Sequence, residues 1–389
     1  MDDLYDTWDE ISQRQATGRV EFRPELGAYE ALDHDVIINI LKDPGSFSSR
    51  QTTMFALAPS VANLDPPLHT PLRRTLLGAF SKGAVADLIP AVAEYASDLI
   101  DALPAPGAVV DVKQHYAVPL ALHTIMALMR IPAHERAMLR AGTEALEHLA
   151  SGLARTPEVT SAARTYDAFF GALAEERINA SESGRLERDT RDPVASLVWA
   201  YLDGTIDREA VGRNIAVLFN GGNGTTATLI TNAVFELEHA PDQKQKFVAR
   251  PEELVAGLVE EALRFEGSTH GLFRTATTDT HVGDANLHDG DRIFCRFGAG
   301  SRDQHAFSEP ERFDIERDWS HSPPHLAFGL GAHFCIGAPL ARAEIAVALT
   351  TLYRRLPGLR LAPSGDNQRL TGLIFRGWQR LHVTYSDRI

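Results

Sequence analysis

The chain has 389 residues, 52 acidic against 38 basic, for a net charge of −14, with 44% hydrophobic and 23% charged residues. This is globular composition with ample apolar material for a core, and the negative balance argues against a general nucleic-acid binder or a protein adhering to anionic lipid. Only two cysteines, Cys295 and Cys335, are present, which excludes a disulfide scaffold, a four-cysteine zinc site and a self-contained iron–sulfur cluster.

The N-terminus, MDDLYDTWDEISQ, is acidic and polar. It lacks the basic and apolar regions of a signal peptide, and no stretch approaches the ~20 apolar residues of a membrane span. A soluble, cytoplasmic protein is expected. Helical periodicity predicts helices over 26–43, 72–102, 112–129, 134–153 and 160–179. The polar stretch 181–193 reads as a surface loop before Pro193. A long helical run over 206–239 follows, with Thr205 as the expected N-cap. At about 1.5 Å per residue it spans roughly 50 Å, enough to cross a globule. Its middle reads FNGGNGTT, Phe219 to Thr226. Each interior glycine costs a helix about 1 kcal/mol, so a local widening of the helix, or close packing against a neighbour, is expected there. Residues 251–266 predict another helix. HGLFRTATTD, HVGDANL and DRIFCRFG then alternate like short strands. A last helix covers about 340–356, and 370–386 reads as strands. The fold class is mainly α with small β-sheets (α+β). No composition shift marks a linker, so one domain over 1–389 is expected.

The segment 328–344 reads FGLGAHFCIGAPLARAE. Cys335 sits in a glycine-rich loop running into a helix begun near Pro339. Backbone N–H groups and the positive helix end would stabilise a thiolate there. Gly329, Gly331 and Gly337 would let backbone approach something flat and bulky. An exposed, low-pKa cysteine fits a nucleophile or a metal ligand. Cys295, in an alternating strand, reads as a buried structural thiol.

Phe328-Gly329-x-Gly331-x-His333-x-Cys335-x-Gly337 resembles in full the haem-binding signature of the cytochrome P450 family. The resemblance implies haem b between the long helix and the cysteine-loop helix, with Cys335 as the axial thiolate. Phe328 would pack near that thiolate. Glu261-x-x-Arg264 is similar to the family's structural E-x-x-R pair, with Arg312 of Pro310-Glu-Arg-Phe313 matching its third member. His69 and Arg73 in LDPPLHTPLRR, Arg274 in LFRTATTD and His333 match the family's haem-propionate contacts. In the long helix, Gly221-Gly222-Asn223-Gly224-Thr225-Thr226 is similar to A/G-G-x-D/E-T-T, with Gly224 standing where relatives carry a proton-delivering acid. Thr225 would still donate to dioxygen, with Asn223 or Asn220 completing a polar chain. The resemblance places Phe55, Val217, Asn220, Gly221, Thr269, His270 and Ile374 around a distal pocket for a medium-sized, partly polar substrate. It implies a monooxygenase of secondary metabolism, as in soluble bacterial members, using dioxygen and electrons from a separate ferredoxin and ferredoxin reductase. The alternative within the family is oxidative coupling or cyclisation without oxygen insertion. Outside that chemistry stand a non-catalytic haem carrier, disfavoured by Thr225, and a cysteine hydrolase, for which no His/Asn partner set is present.

Overall fold

The computed structural model describes residues 6–50, 58–150, 156–363, 365–370 and 372–389, the side chains of 147–150 excepted. Its helices are α1 (Trp8–Gln15), α2 (His34–Lys42), α3 (His69–Leu76), α4 (Lys82–Asp101), α5 (Val118–Leu128), α6 (Arg136–Ala150) and α7 (Pro157–Glu182). They continue with α8 (Pro193–Leu202), α9 (Arg208–His239), α10 (Pro241–Ala249), α11 (Pro251–Glu266), α12 (Phe297–Ser301) and α13 (Ala338–Arg355). The strands are β1 (Val20–Arg23), β2 (Ala28–Ala31), β3 (Phe47–Ser48), β4 (Val110–Asp111), β5 (Leu272–Ala276), β6 (Thr280–Val282), β7 (Ala285–Leu287), β8 (Arg292–Cys295), β9 (Arg360–Leu361), β10 (Gln368–Leu370), β11 (Gly377–Arg380) and β12 (His382–Thr384). No helix among the described residues is long and apolar enough to cross a membrane.

The long helix α9 is the axis of the molecule. It starts two residues later than expected: Asp207, not Thr205, is the N-cap, and its carboxylate accepts from the Ala210 N–H. A carboxylate at that end also complements the helix dipole. The N-terminal half of α9, including Ile215, Leu218 and Phe219, is buried with α5, α7 and α8. Its C-terminal half, from Ala227 to Leu237, is buried with α4, α11 and α13. The helix is continuous through FNGGNGTT.

The largest sheet has five strands in the order β1-β2-β8-β5-β3. Here the helix expected over 26–43 divides. Residues 28–31 pair in parallel with β8, Tyr29 opposite Ile293 and Ala31 opposite Cys295; only from His34 does a helix form. A partner more than 260 residues away overrides the local period. Likewise 72–102 divides into α3 and α4 around Ser81, whose side chain caps α4 by accepting from Ala84 N–H. Residues Lys113–Ala117, before α5, form a π-helical turn. Helix α11 spans the expected 251–266, and β6–β7 form a hairpin within the expected strand region.

Candidate active site

The Cys335 loop lies between β8–α12 and the start of α13. Gly329 (φ 63°) and Gly331 (φ 72°) are left-handed, which only glycine takes without strain. At Gly331 a Cβ would also stand 2.2 Å from the Leu41 carbonyl oxygen. The loop closes by a hydrogen bond from Cys335 N–H to the Phe328 carbonyl at 2.8 Å. Burial pushes the Cys335 thiol up, while the N–H groups of Gly337 and Ala338 and the cations of Arg73 and Arg342 pull it down. The expected exposure is corrected: the residue is half-buried. Gly337 leaves room beside the sulfur, since a Cβ there would lie 3.8 Å from Sγ without a clash. Cys295 is fully buried, its thiol pushed up to about 12, as expected of a structural residue.

His69 opens α3 and Arg73 follows four residues on, on the same helix face. The rings of His69 and His333 stand 4.2 Å apart, and neither Nε2 has a hydrogen-bond partner. Arg274, buried on β5, donates to the Phe273 carbonyl and makes no ion pair among the described residues. Arg73 donates to the Phe334 carbonyl at 2.5 Å. Burial holds His333 down at about 3, with His69, Arg274 and Arg73 adding to it. These groups thus set two arginine cations, with no ion pair among the described residues, and two neutral imidazoles with orphaned Nε2 atoms beside Cys335. Buried cations and unpaired nitrogens are costly alone. A ligand carrying carboxylates satisfies them, which is the fit a haem with its two propionates requires.

Glu261 and Arg264 form a fully buried bidentate pair at 2.7 and 2.9 Å. Arg264 also donates to the carbonyls of Ser301, Pro310 and Arg312. The expected third member is corrected. Arg312 is half-exposed and pairs with Glu309 and Asp314, whereas Arg317 is buried and reaches Glu261 at 3.0 Å. Arg312 contributes only its backbone carbonyl. A second clamp escapes sequence reading: Glu260 takes Arg342 of α13 in two bonds, 2.5 and 2.9 Å, and His325 at 3.1 Å. Burial would raise Glu260, but His325 and Arg342 hold it at about 2. The Arg342 guanidinium lies 4.6 Å over the Phe328 ring, fixing the first residue of the cysteine loop.

On α9 the glycines divide by role. A Cβ on Gly221 would meet nothing within 4 Å, whereas one on Gly222 would lie 2.7 Å from Ile125 of α5. Gly222 therefore serves packing, and Gly221 faces open space. Thr225 donates its hydroxyl to the Gly221 carbonyl at 2.6 Å. Asn223, expected beside Thr225, is turned about 200° round the helix from it and donates to Thr143 of α6 at 3.2 Å. Asn220 is exposed and accepts from the Tyr166 hydroxyl at 2.5 Å; Val217 is partly exposed on the same face. His270 departs from its expected place in the pocket. It is 2% exposed, edge-on to Trp8, and within 3.3 Å of Arg296. Arg296, Arg376 and Arg302, after burial itself, keep it neutral. Thr269 bridges to Phe375, and the Ile374 carbonyl accepts from His270 N–H, so this edge carries Thr269 and Ile374 together. Phe55 lies outside the described residues.

A cytochrome P450 family model matches residues 252–360, which hold both clamps and the Cys335 loop. The chain is 33% identical to cytochrome P450 107B1 of Saccharopolyspora erythraea, over 84% of this chain and 77% of that protein. It is 33% identical to nocardicin C N-oxygenase of Nocardia uniformis subsp. tsuyamanensis, over 86% and 82%, and 32% identical to pentalenic acid synthase of Streptomyces avermitilis, over 84% and 78%. Among solved structures, it is similar to a hydroxylase of himastatin biosynthesis, with TM-score 0.83 and 29% identity over 97% of this chain and 96% of that one. It is also similar to a cytochrome P450 for C–S bond formation in chuangxinmycin biosynthesis, with TM-score 0.84 and 26% identity over 97% and 94%.

Proposed function

The chain belongs to the cytochrome P450 family and is a monooxygenase, and from that premise we propose that it hydroxylates a medium-sized, partly polar secondary metabolite. Relatives named for nocardicin C, pentalenic acid and himastatin chemistry support this substrate class. The electrons are proposed to come from a ferredoxin and its reductase, and the whole of 1–389 to act as one cytoplasmic domain. Its burial of α9 in both large apolar clusters supports the single domain.

The observation that carries the site is the cluster of two arginines, Arg73 and Arg274, and two imidazoles with orphaned Nε2 atoms, His69 and His333, beside Cys335. In this reading the bound group is haem b. Cys335 Sγ would ligate its iron, and the four cationic or orphaned groups would hold its propionates. Haem supplies the activation of dioxygen for insertion of one oxygen atom into a C–H bond. Phe328 and Arg342 hold the loop that aims the sulfur. The Gly337 and Ala338 N–H groups moderate the sulfur's charge. Gly221 would leave space for dioxygen or substrate beside α9, with the Thr225 hydroxyl oxygen next to it, its hydrogen on the Gly221 carbonyl. Val217, Asn220, Thr269 and Ile374 orient the substrate. The test is the carbon monoxide complex of the reduced holoprotein. The red-shifted Soret band of thiolate ligation is expected, and Cys335→Ser abolishes it. A pigment-free protein overturns the reading. Oxidative coupling is the second reading, supported by the similar C–S bond-forming structure. Isotopically labelled dioxygen separates the two, because its label enters the product only on oxygen insertion.

A further inference from the structure

Helix α9 carries four asparagines, Asn214, Asn220, Asn223 and Asn232. Three of them spend their N–H groups on the protein. Asn214 Nδ2 donates to the Ala210 carbonyl at 2.8 Å, Asn223 Nδ2 to the Thr143 hydroxyl at 3.2 Å, and Asn232 Nδ2 to the Glu266 carbonyl at 2.7 Å. Asn220 differs. It is exposed, its Oδ1 accepts from the Tyr166 hydroxyl at 2.5 Å, and its Nδ2 has no partner among the described residues. A side-chain amide has one accepting end and one donating end. With the accepting end taken, the donating end is the one left to the open side of the helix. Val217, one turn earlier, and Gly221, next in the chain, border it there, and a Cβ on Gly221 would meet nothing within 4 Å.

The amide is held in this orientation from behind. Tyr166 of α7 is fully buried, edge-on to Phe170 with ring centroids 4.9 Å apart and to Phe219 at 6.0 Å. Glycine at 142 of α6 makes room for it, since a Cβ there would stand 2.3 Å from the ring. Burial pushes the phenol up, so it keeps its hydrogen and acts as a donor. A flipped amide would set N–H against that O–H, so the phenol selects the orientation seen. The bordering groups, Val217, Gly221 and Tyr166, are uncharged. A neutral donor with no cation at its side suits an uncharged carbonyl oxygen better than a carboxylate, which calls for a charged partner.

Building on the monooxygenase reading, we propose that Asn220 selects substrates carrying a neutral carbonyl group (a ketone, lactone or amide) by donating to its oxygen from Nδ2. Tyr166 is a positioning residue, which aims the amide without touching the substrate. The hydrogen bond anchors one end of the molecule and leaves the C–H bond to be oxidised elsewhere on it. Preorganisation by a buried phenol means that little is lost in ordering the amide when substrate binds.

The test is equilibrium dialysis of the holoprotein against cyclododecanone and cyclododecane, rings of one size that differ by the carbonyl oxygen. The quantity read is the ratio of the two affinities. Asn220→Leu is expected to lower the ketone-to-hydrocarbon ratio about fivefold, the worth of one neutral hydrogen bond, while cyclododecane binds no more weakly. Asn220→Asp keeps the shape but not the donor, and lowers the ratio as well, which a space-filling role does not predict. Tyr166→Phe lowers it with Asn220 intact; general damage to the fold would weaken both rings alike. Dodecanoate, an anionic acceptor, shows no dependence on Asn220. A ratio unchanged in Asn220→Leu and Asn220→Asp, a parent that takes up neither ring, or a dodecanoate affinity that falls with Asn220→Leu overturns the proposal. Absence of the thiolate Soret band in the parent instead defeats the monooxygenase reading, and the dialysis ratio is read independently of that band.

Discussion

Removing a single side chain separates Arg317 from Arg312. Arg317→Ala leaves the Glu261 carboxylate short of one partner in a fully buried network, a loss of about 3–5 kcal/mol for a broken buried pair. Arg312→Ala removes only half-exposed contacts to Glu309 and Asp314, worth about 0–1 kcal/mol. Urea unfolding of the two variants is expected to show this contrast. Spacing alone could not make the distinction: both arginines follow Pro310 within one loop, and only the fold decides which turns inward. Glu261 and Arg264 were legible because three residues on a helix fix a shared face. The two α9 glycines also part company under substitution. Gly222→Ala forces Ile125 aside and offsets the roughly 1 kcal/mol helical gain of alanine. Gly221→Ala meets no protein atom, so it stabilises the fold and instead shifts the spectral response to substrate analogues; thermal melts and Soret titrations check both.

At the scale of elements, the Glu260 clamp joins α11 to α13 and to the segment carrying His325. No local pattern announced it, since its members lie 65 and 82 residues apart. Its carboxyl is held at about 2 against an ordinary 4.5. A folded value below the unfolded one means stability present above about 4.5 and lost as pH falls toward 2. Glu260→Gln is therefore expected to flatten the acid limb of the stability profile between those values while lowering neutral stability, measured by denaturant midpoints across pH. The same limit of local reading explains β2. Ala28–Ala31 carries helical spacing, but β8 offers a buried parallel partner, and sheet pairing wins. Helix α11 had no such competitor: Pro251 at its first turn fixed its start and its apolar stripe fixed its face, so its limits were readable.

For the whole molecule, α9 is shared by the two large apolar clusters. Neither half can lose its core without exposing the helix that serves the other. Calorimetry is expected to show one cooperative transition. Haem, bound only by the folded chain, raises its temperature; linkage gives about 4 kcal/mol at a thousandfold excess over Kd. Extracting the haem is expected to return the melt to the lower value without splitting it. The global arrangement was legible as mainly helical with small sheets. The direction of each polar side chain on α9 was not, because glycine-rich sequence gives no amphipathic stripe from which to read a face.

The Thr225 hydroxyl has one hydrogen, and it is directed to the Gly221 carbonyl. What it turns to the open side of α9 is lone pairs. At rest this position is an acceptor, matched to water or to a substrate N–H or O–H. To donate, the hydroxyl must rotate away from Gly221 and give up a bond worth about 1 kcal/mol. Which way Thr225 points is thus set by the visitor, and an apolar molecule bound there leaves it facing its own helix.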